Sequence, residues 1–100
     1  MVEVRQRERF AKWLQDLRDL RARAKVQVRI ERLIGGNPGD VRPVGSGISE
    51  LWIDYGPGYR VYYQQKDSRL IILLAGGDKS SQVKDIEEAL MLSPQIKEDG

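Results

Sequence analysis

The segment ELWIDYGPGYRVYYQQ, Glu50 to Gln65, holds all four tyrosines of the chain, one of its two tryptophans and one arginine, Arg60, around a Gly-Pro-Gly turn. An arginine among aromatics can stack its guanidinium on a ring and fork its N–H donors onto phosphate. Trp52 and Tyr62 offer π faces on which bases stack, although aromatics also pack well on any pleated strand. A second segment, GGDKSSQ (Gly76–Gln82), sets Lys79 between an apolar run and a helix start. Glycines there let backbone approach a ligand, and the free N–H groups of a helix start favour an anion. No glycine directly precedes the lysine, as a Walker A loop requires. An ordinary strand-to-helix turn with a capping residue is the simpler explanation of the pattern.

The rest of the composition narrows the chemistry. The 100 residues include no cysteine and no histidine. Disulfides, thiolate nucleophiles and sulfur-ligated metals are therefore excluded, and the commonest general base and metal ligand is missing. Reactions must run on Lys, Arg, Tyr and carboxylates. The net charge of +2 is uneven, with ten Lys or Arg against five acids up to Ile34 and seven against ten thereafter. A basic first third suits nucleic acid or an acidic partner, as it also suits a solvated helix face. No apolar run reaches the ~20 residues of a membrane span, and the charged N-terminus is unlike a signal peptide. A cytoplasmic protein that does not engage membranes is expected.

The elements that must position these residues follow from periodicity. Phe10, Trp13, Leu14, Leu17 and Leu20 recur at helical spacing, which predicts a helix from about Arg7 to Leu20. Ala22, Val26, Ile30, Leu33 and Ile34 repeat the stripe until Gly35-Gly36 ends it. Beyond that break the period falls to two. Val41–Val44, with its proline, suits an edge strand, and Ile48–Asp54, Tyr59–Gln65 and Arg69–Gly76 read as strands joined by tight turns, hence antiparallel. Val2–Arg5 alternates as a short strand would. The apolar run Leu70–Ala75 indicates a strand covered on both faces. Asp78 or Ser80 caps a last helix carrying Ile86, Ala89 and Leu90. The expected fold class is α+β: an N-terminal helical hairpin packed on a curved antiparallel β-sheet, with a short C-terminal helix. One domain spans residues 1–92, and residues 93–100 form a polar tail.

Alternation then sorts the central hairpin. Leu51, Ile53, Val61 and Tyr63 face the helices, while Glu50, Trp52, Asp54, Arg60 and Tyr62 share an open face.

These residues carry a resemblance. GNPGDVRPVGSGISELWIDYGPGYRVYY, LLAGGDKSSQVKDIEEAL and the helical segment FAKWLQDLRDLRARAKVQVRIERL together resemble the phage-derived addiction module killer proteins, HigB-like toxins of the RelE/ParE superfamily. The similarity runs from about Val2 to Leu92, and DYGPGYR and GGDKSSQ are its most specific pieces. It implies the toxin of a type II toxin–antitoxin module, held in a hetero-oligomer by a helix-turn-helix (HigA-like) antitoxin. It further implies a metal-independent endoribonuclease, with no cofactor, that cuts mRNA on the ribosome and inhibits translation. By position Arg60 matches the arginine that relatives use against the scissile phosphate, and Lys79 a second basic site. The superfamily also contains ParE-like members that inhibit DNA gyrase by binding.

The chemistry implied suits these side chains. Attack of a ribose 2′-OH on the neighbouring phosphate builds negative charge that fixed Arg and Lys donors stabilise. Proton transfer is also required, with Lys79, Tyr62, Tyr55, Asp54 and Glu50 as candidates. Arg60, Lys79 and Tyr62 are accordingly the expected catalytic residues, with Trp52, Tyr55, Lys25 and Arg23 binding RNA. Arg18, Arg21, Arg23 and Lys25 would serve an acidic antitoxin segment equally well. The sequence departs from the group at Trp52, where relatives read ELRIDYGPGYR. A tryptophan there either stacks on a base or blunts cleavage.

Overall fold

The computed structural model describes the backbone of residues 2–99 and the side chains of residues 2–92. In chain order the elements are β1 (Glu3–Gln6), α1 (Glu8–Asp16), α2 (Leu20–Ile34), β2 (Val41–Gly45), β3 (Ile48–Ile53), β4 (Tyr59–Lys66) and β5 (Leu70–Gly77). A single 3₁₀ turn, Lys79–Ser81, then leads into α3 (Gln82–Asp99). The five strands form one sheet in the order β1-β5-β4-β3-β2. β2 to β5 are antiparallel neighbours, as their tight turns require, while β1 lies parallel to β5.

The helix boundary differs from the periodic reading. Leu20 does not extend the stripe of α1; it opens α2 and is 72% exposed. The reason is Asp19, whose Oδ1 accepts hydrogen bonds from the Arg21 and Ala22 backbone N–H groups and so starts a new helix. α3 also runs further than expected, since its backbone stays helical to Asp99. The side chains of the sequence-expected tail, residues 93–100, lie outside the described residues.

Both sheet faces are covered. α1 and α2 bury Phe10, Val26 and Leu33 against Leu51, Ile53, Val61 and Tyr63, as alternation requires. Each large side chain so buried contributes roughly 1.5–3 kcal/mol before entropy is counted. α3 covers the opposite face, placing Ala89, Ile86 and Leu90 on Ile48, Tyr62, Ile72 and Leu74. The face expected to be open is therefore open only at its β2–β3 end. A β-bulge contributes to this arrangement. Tyr62 pairs with Ala75 but Tyr63 with Leu73, so Leu74 is the extra residue. Leu74 and Ala75 then both turn toward α3.

Candidate functional site

At the end of the sheet that α3 leaves uncovered is a cleft of about 510 Å³ lined by Asp40, Val41, Arg42, Glu50, Trp52, Arg60 and Gln82. Backbone register builds it. Trp52 on β3 pairs with Arg60 on β4, and Glu50, two residues back and on the same face, pairs with Tyr62 on β4 and Arg42 on β2. The turn helps to aim the arginine. Tyr55 O accepts from Gly58 N at 3.0 Å, and Gly56 and Gly58 adopt the positive φ values of 56° and 80° that only glycine takes without strain. Gly58 O then accepts from Arg60 Nη1 at 2.7 Å. Trp52 is tied through its backbone, its carbonyl accepting from Arg29 Nη1 at 2.8 Å and its N–H donating to Asp40 O at 3.0 Å. Its indole stays 38% exposed.

Glu50 is the centre of the cleft and is only 3% exposed. Its Oε1 accepts from Arg42 Nε at 2.8 Å, and its Oε2 accepts from Tyr62 Oη at 2.9 Å and from Gln82 Nε2 at 3.0 Å. Arg60 Nε stands 3.7 Å from the same Oε2, within ion-pair range but beyond hydrogen-bond reach. It is buried and has no hydrogen-bond partner among the described residues. Burial works to raise the Glu50 pKa, but the hydrogen bonds from Arg42, Tyr62 and Gln82 and the Arg42 charge outweigh it. The carboxyl is held below its ordinary value. It is thus ionised at neutral pH and a weak proton acceptor.

Tyr62 corrects the sequence reading. Expected on an open face as a catalytic group, it is fully buried beneath α3 with its hydroxyl donated to Glu50. Burial, then the Glu50 hydrogen bond and charge, push its pKa far above the usual tyrosine value. It cannot give up a proton at physiological pH, nor can it touch a nucleotide.

The remaining expected residues divide. Lys79 is exposed in the 3₁₀ turn two residues beyond Gly77, which pairs with Arg60, so it stands beside the cleft without lining it. Tyr55 is on the helical side, donating to Asp19 Oδ2 at 3.2 Å, with Lys25 Nζ 5.2 Å from the centre of its ring. Partial burial, then the Asp19 charge and hydrogen bond, raise the Tyr55 pKa. Lys25 and Asp54 line a separate groove of about 380 Å³ with Arg21, Arg29 and Arg32 of α2. Arg23 is committed to structure. Its Nε and Nη2 bond the Leu14 and Gln15 carbonyls at the end of α1, where the last carbonyls of a helix have no intrahelical partner. Tyr55, Lys25 and Arg23 therefore do not line the cleft with Arg60.

The glycines of GGDKSSQ have a packing cause. A Cβ on Gly76 would lie 2.1 Å from the Trp13 ring, and one on Gly77 only 1.7 Å from Asp85 Oδ2. Asp78 Oδ1 accepts from Ser80 N at 2.8 Å, and Ser81 Oγ donates to Asp85 Oδ2 at 2.6 Å. The helix start is occupied by its own side chains, so the turn reading of this segment prevails over the anion-binding one.

Sequence reading missed Arg42 and Gln82. Arg42 was legible in principle, as an opposite charge directly across a short hairpin from Glu50. Gln82 gave no signal, because its role depends on how α3 docks. Among the described residues no three carboxylates gather closely enough to hold a metal ion, and no helix is long and apolar enough to cross a membrane.

No protein-family model matches the chain. An uncharacterized protein of Haemophilus influenzae is 47% identical over 95 residues, covering 95% of this chain and 96% of that protein. Among solved structures, the fold is similar to a chain of the intact E. coli RelBE toxin–antitoxin complex, with TM-score 0.63 and 16% identity over 78% of this chain and 96% of that one. A conserved hypothetical protein of Helicobacter pylori aligns with TM-score 0.51 and 22% identity, covering 80% of this chain and 97% of that one. The two structural likenesses speak for the fold, which is RelE-like. The sequence identity speaks for descent: this protein belongs to the same family as the Haemophilus influenzae protein.

Proposed function

We propose that the chain is the toxin of a type II toxin–antitoxin module, HigB-like in kind and phage-derived, which cleaves mRNA on the ribosome and is neutralised by a helix-turn-helix antitoxin. The observation that carries this reading is Arg60: a guanidinium fixed by Gly58 that lines a cleft beside the half-exposed Trp52. The RelE-like fold supports it, since the similar E. coli structure is a toxin–antitoxin complex. In this reading Arg60 stabilises the charge that develops on the phosphoryl oxygens, an effect of ~3 kcal/mol for one well-placed donor. Trp52 stacks on a base of the cleaved strand. Lys79 adds positive charge at the cleft's edge. The ribosome holds the mRNA in reactive geometry, which suits a site poor in proton acceptors.

That poverty is also the observation behind a second reading. Glu50 is held ionised, and Tyr62 is buried and neutral. A toxin that binds DNA gyrase without cleaving, or a nuclease weakened at Trp52, would need no better base. One experiment separates the readings. The protein is induced, and mRNA 5′ ends and plasmid supercoiling are followed for the parent, Arg60→Ala and Trp52→Arg. New 5′ ends that vanish with Arg60→Ala support the nuclease. Growth arrest with intact mRNA and altered supercoiling refutes it. A sharp rise in cleavage with Trp52→Arg identifies the tryptophan as the weakening residue.

A further inference from the structure

Two carboxylates line the cleft, Glu50 and Asp40, and they differ in what is left to them. Glu50 is buried and accepts from Arg42, Tyr62 and Gln82. Asp40 is exposed, and its carboxylate has no hydrogen-bond or ion-pair partner among the described residues. An ionised carboxylate offers about four acceptor sites, and those of Asp40 are open to whatever enters the cleft.

The backbone sets Asp40 in one row with Trp52 and Arg60. Val41 pairs with Leu51 and Arg42 with Glu50, so Asp40, one residue before β2, falls opposite Trp52. Its carbonyl accepts from Trp52 N at 3.0 Å, which extends the ladder to this pair. Asp40 and Arg42 are two residues apart and share a face, the face of Glu50, Trp52 and Arg60. Trp52 in turn pairs with Arg60. Asp40 and Arg60 therefore flank the indole two strand spacings apart, about 10 Å from backbone to backbone. The entry to β2 is clamped. Arg29 of α2 donates Nη1 to Trp52 O at 2.8 Å and Nη2 to Pro38 O at 3.0 Å, tying the chain just before Asp40 to the strand opposite. Gly39 lets the chain pass close by: its φ is 73°, and a Cβ there would lie 2.8 Å from Arg29 Nη2.

We propose that Asp40 is the proton acceptor of the cleft: it takes the proton of a ribose 2′-OH whose oxygen attacks the neighbouring phosphodiester, held by Arg60. This rests on the nuclease reading. As the proton passes to Asp40, the 2′-oxygen bonds to phosphorus. The P–O5′ bond breaks, the departing 5′-oxygen takes a proton from water, and a 2′,3′-cyclic phosphate remains. Asp40 then returns its proton to solvent. A ribose–phosphate linkage hydrogen-bonded at both ends fits between side chains so spaced. The other proton acceptors stand aside. Lys79 lies outside the lining, Tyr62 is buried, and Asp54 and Tyr55 are on the helical side. The charged groups around Asp40 are Arg42 on β2, Glu50 on β3, Arg60 on β4 and Arg29 on α2, with Lys79 at the cleft's edge.

Asp40→Asn keeps the shape of the side chain and removes the acceptor. Because that side chain is exposed and without partners, the melting temperature should match the parent's. Single-turnover cleavage of ribosome-bound mRNA should fall about 10²–10⁴-fold, the usual contribution of a positioned base. Binding of the RNA should hold or tighten, since a negative charge is lost. The acidic limb of the parent's pH–rate profile should vanish in Asp40→Asn and survive in Glu50→Gln. Added formate, a small carboxylate, should restore part of the cleavage lost in Asp40→Ala. The proposal is overturned if Asp40→Asn cleaves as fast as the parent, or if Glu50→Gln loses the limb and Asp40→Asn keeps it. A faster Asp40→Asn also overturns it, by making Asp40 a charge that repels RNA. The nuclease reading fails separately. A parent that makes no new 5′ ends refutes both, whereas a parent that cleaves no faster than Asp40→Asn refutes only the acceptor.

Discussion

Two arginine–carboxylate clusters flank the first turns of α3, and they use the same chemistry to opposite ends. In the first, Arg9 spends every nitrogen. Nε bonds Glu88 at 2.6 Å, Nη2 bonds Asp85 at 2.8 Å and Nη1 reaches Gly76 O at 3.3 Å. Asp85, 2% exposed, is completed by Ser81. This cluster pins α1, β5 and α3 together. In the second, around Glu50, the carboxylate is satisfied but Arg60 is not. Arg7 Nε is likewise buried without a partner, yet Arg7 lines none of the clefts described. Both unpaired nitrogens are shut from solvent, so what marks Arg60 is the cleft its side chain lines and not the unpaired nitrogen. The lesson is that saturation at a packed junction marks a brace, and an arginine lining open space marks a site.

The comparison is broken most directly by exchanging the losses. Arg60→Ala should reduce mRNA cleavage by about 10²–10³-fold, the cost of removing one preorganised donor to a developing oxyanion. Its melting temperature should barely move, because Glu50 keeps Arg42, Tyr62 and Gln82. Arg9→Ala should do the reverse. It strands the buried Asp85 carboxylate, and breaking such a pair costs about 3 kcal/mol, seen as a lower urea midpoint. Cleavage measured well below the melting temperature should stay near that of the parent. If Arg60→Ala unfolds the protein and Arg9→Ala silences it, the roles assigned to the clusters are reversed.

Lys79→Ala sharpens the boundary between them. The lysine is exposed in the turn beyond β5, outside the lining of the cleft. Its charge acts through solvent, so a loss of about tenfold or less in cleavage is expected, shrinking further as salt is raised. A loss as deep as that of Arg60→Ala would mean that Lys79 touches the phosphate directly.

How much of this was legible in sequence follows from the range of the forces. Strands, turns and the faces of Leu51, Ile53, Val61 and Tyr63 were readable because alternation is local and turns fix antiparallel register. The environment of Tyr62 was not, since alternation says which side a residue takes and not what covers that side. Here α3 covers it, and α3 contacts β4 across about twenty residues of chain. Still longer separations along the chain hid the contact of Gln82 with Glu50 and the pairing of Arg9 with Asp85. Gly76 and Gly77 misled in a different way. Their local pattern fits ligand approach, but what approaches is Trp13 and Asp85. Arg60 was recognisable by its company of aromatics, and its ion-pair distance from Glu50 only from the structure.

The smallest effect tests the electrostatics of the Glu50 cluster by pH alone. The folded pKa of Glu50 lies below its ordinary value of 4.5. The unfolded chain therefore binds its proton first as pH falls, and the stabilisation is fully present above about pH 4.5 and lost as pH drops through the folded pKa. Tyr62 acts at the other end. Its pKa is raised on folding, so its contribution is fully present below the ordinary tyrosine value of 10.0 and is lost only as pH climbs toward the raised folded value. Between these limits neither group titrates, and the cluster keeps its hydrogen bonds throughout the neutral range. The melting temperature of Glu50→Gln should therefore fall less than the parent's on acidification from about pH 5 to pH 3, and the two should run parallel near neutrality. At alkaline pH, Tyr62→Phe should lose one tyrosinate absorbance step that in the parent appears only as the protein unfolds. If that step comes early, with the fold intact, Tyr62 is reachable by solvent, and α3 packs over it more loosely than the geometry requires.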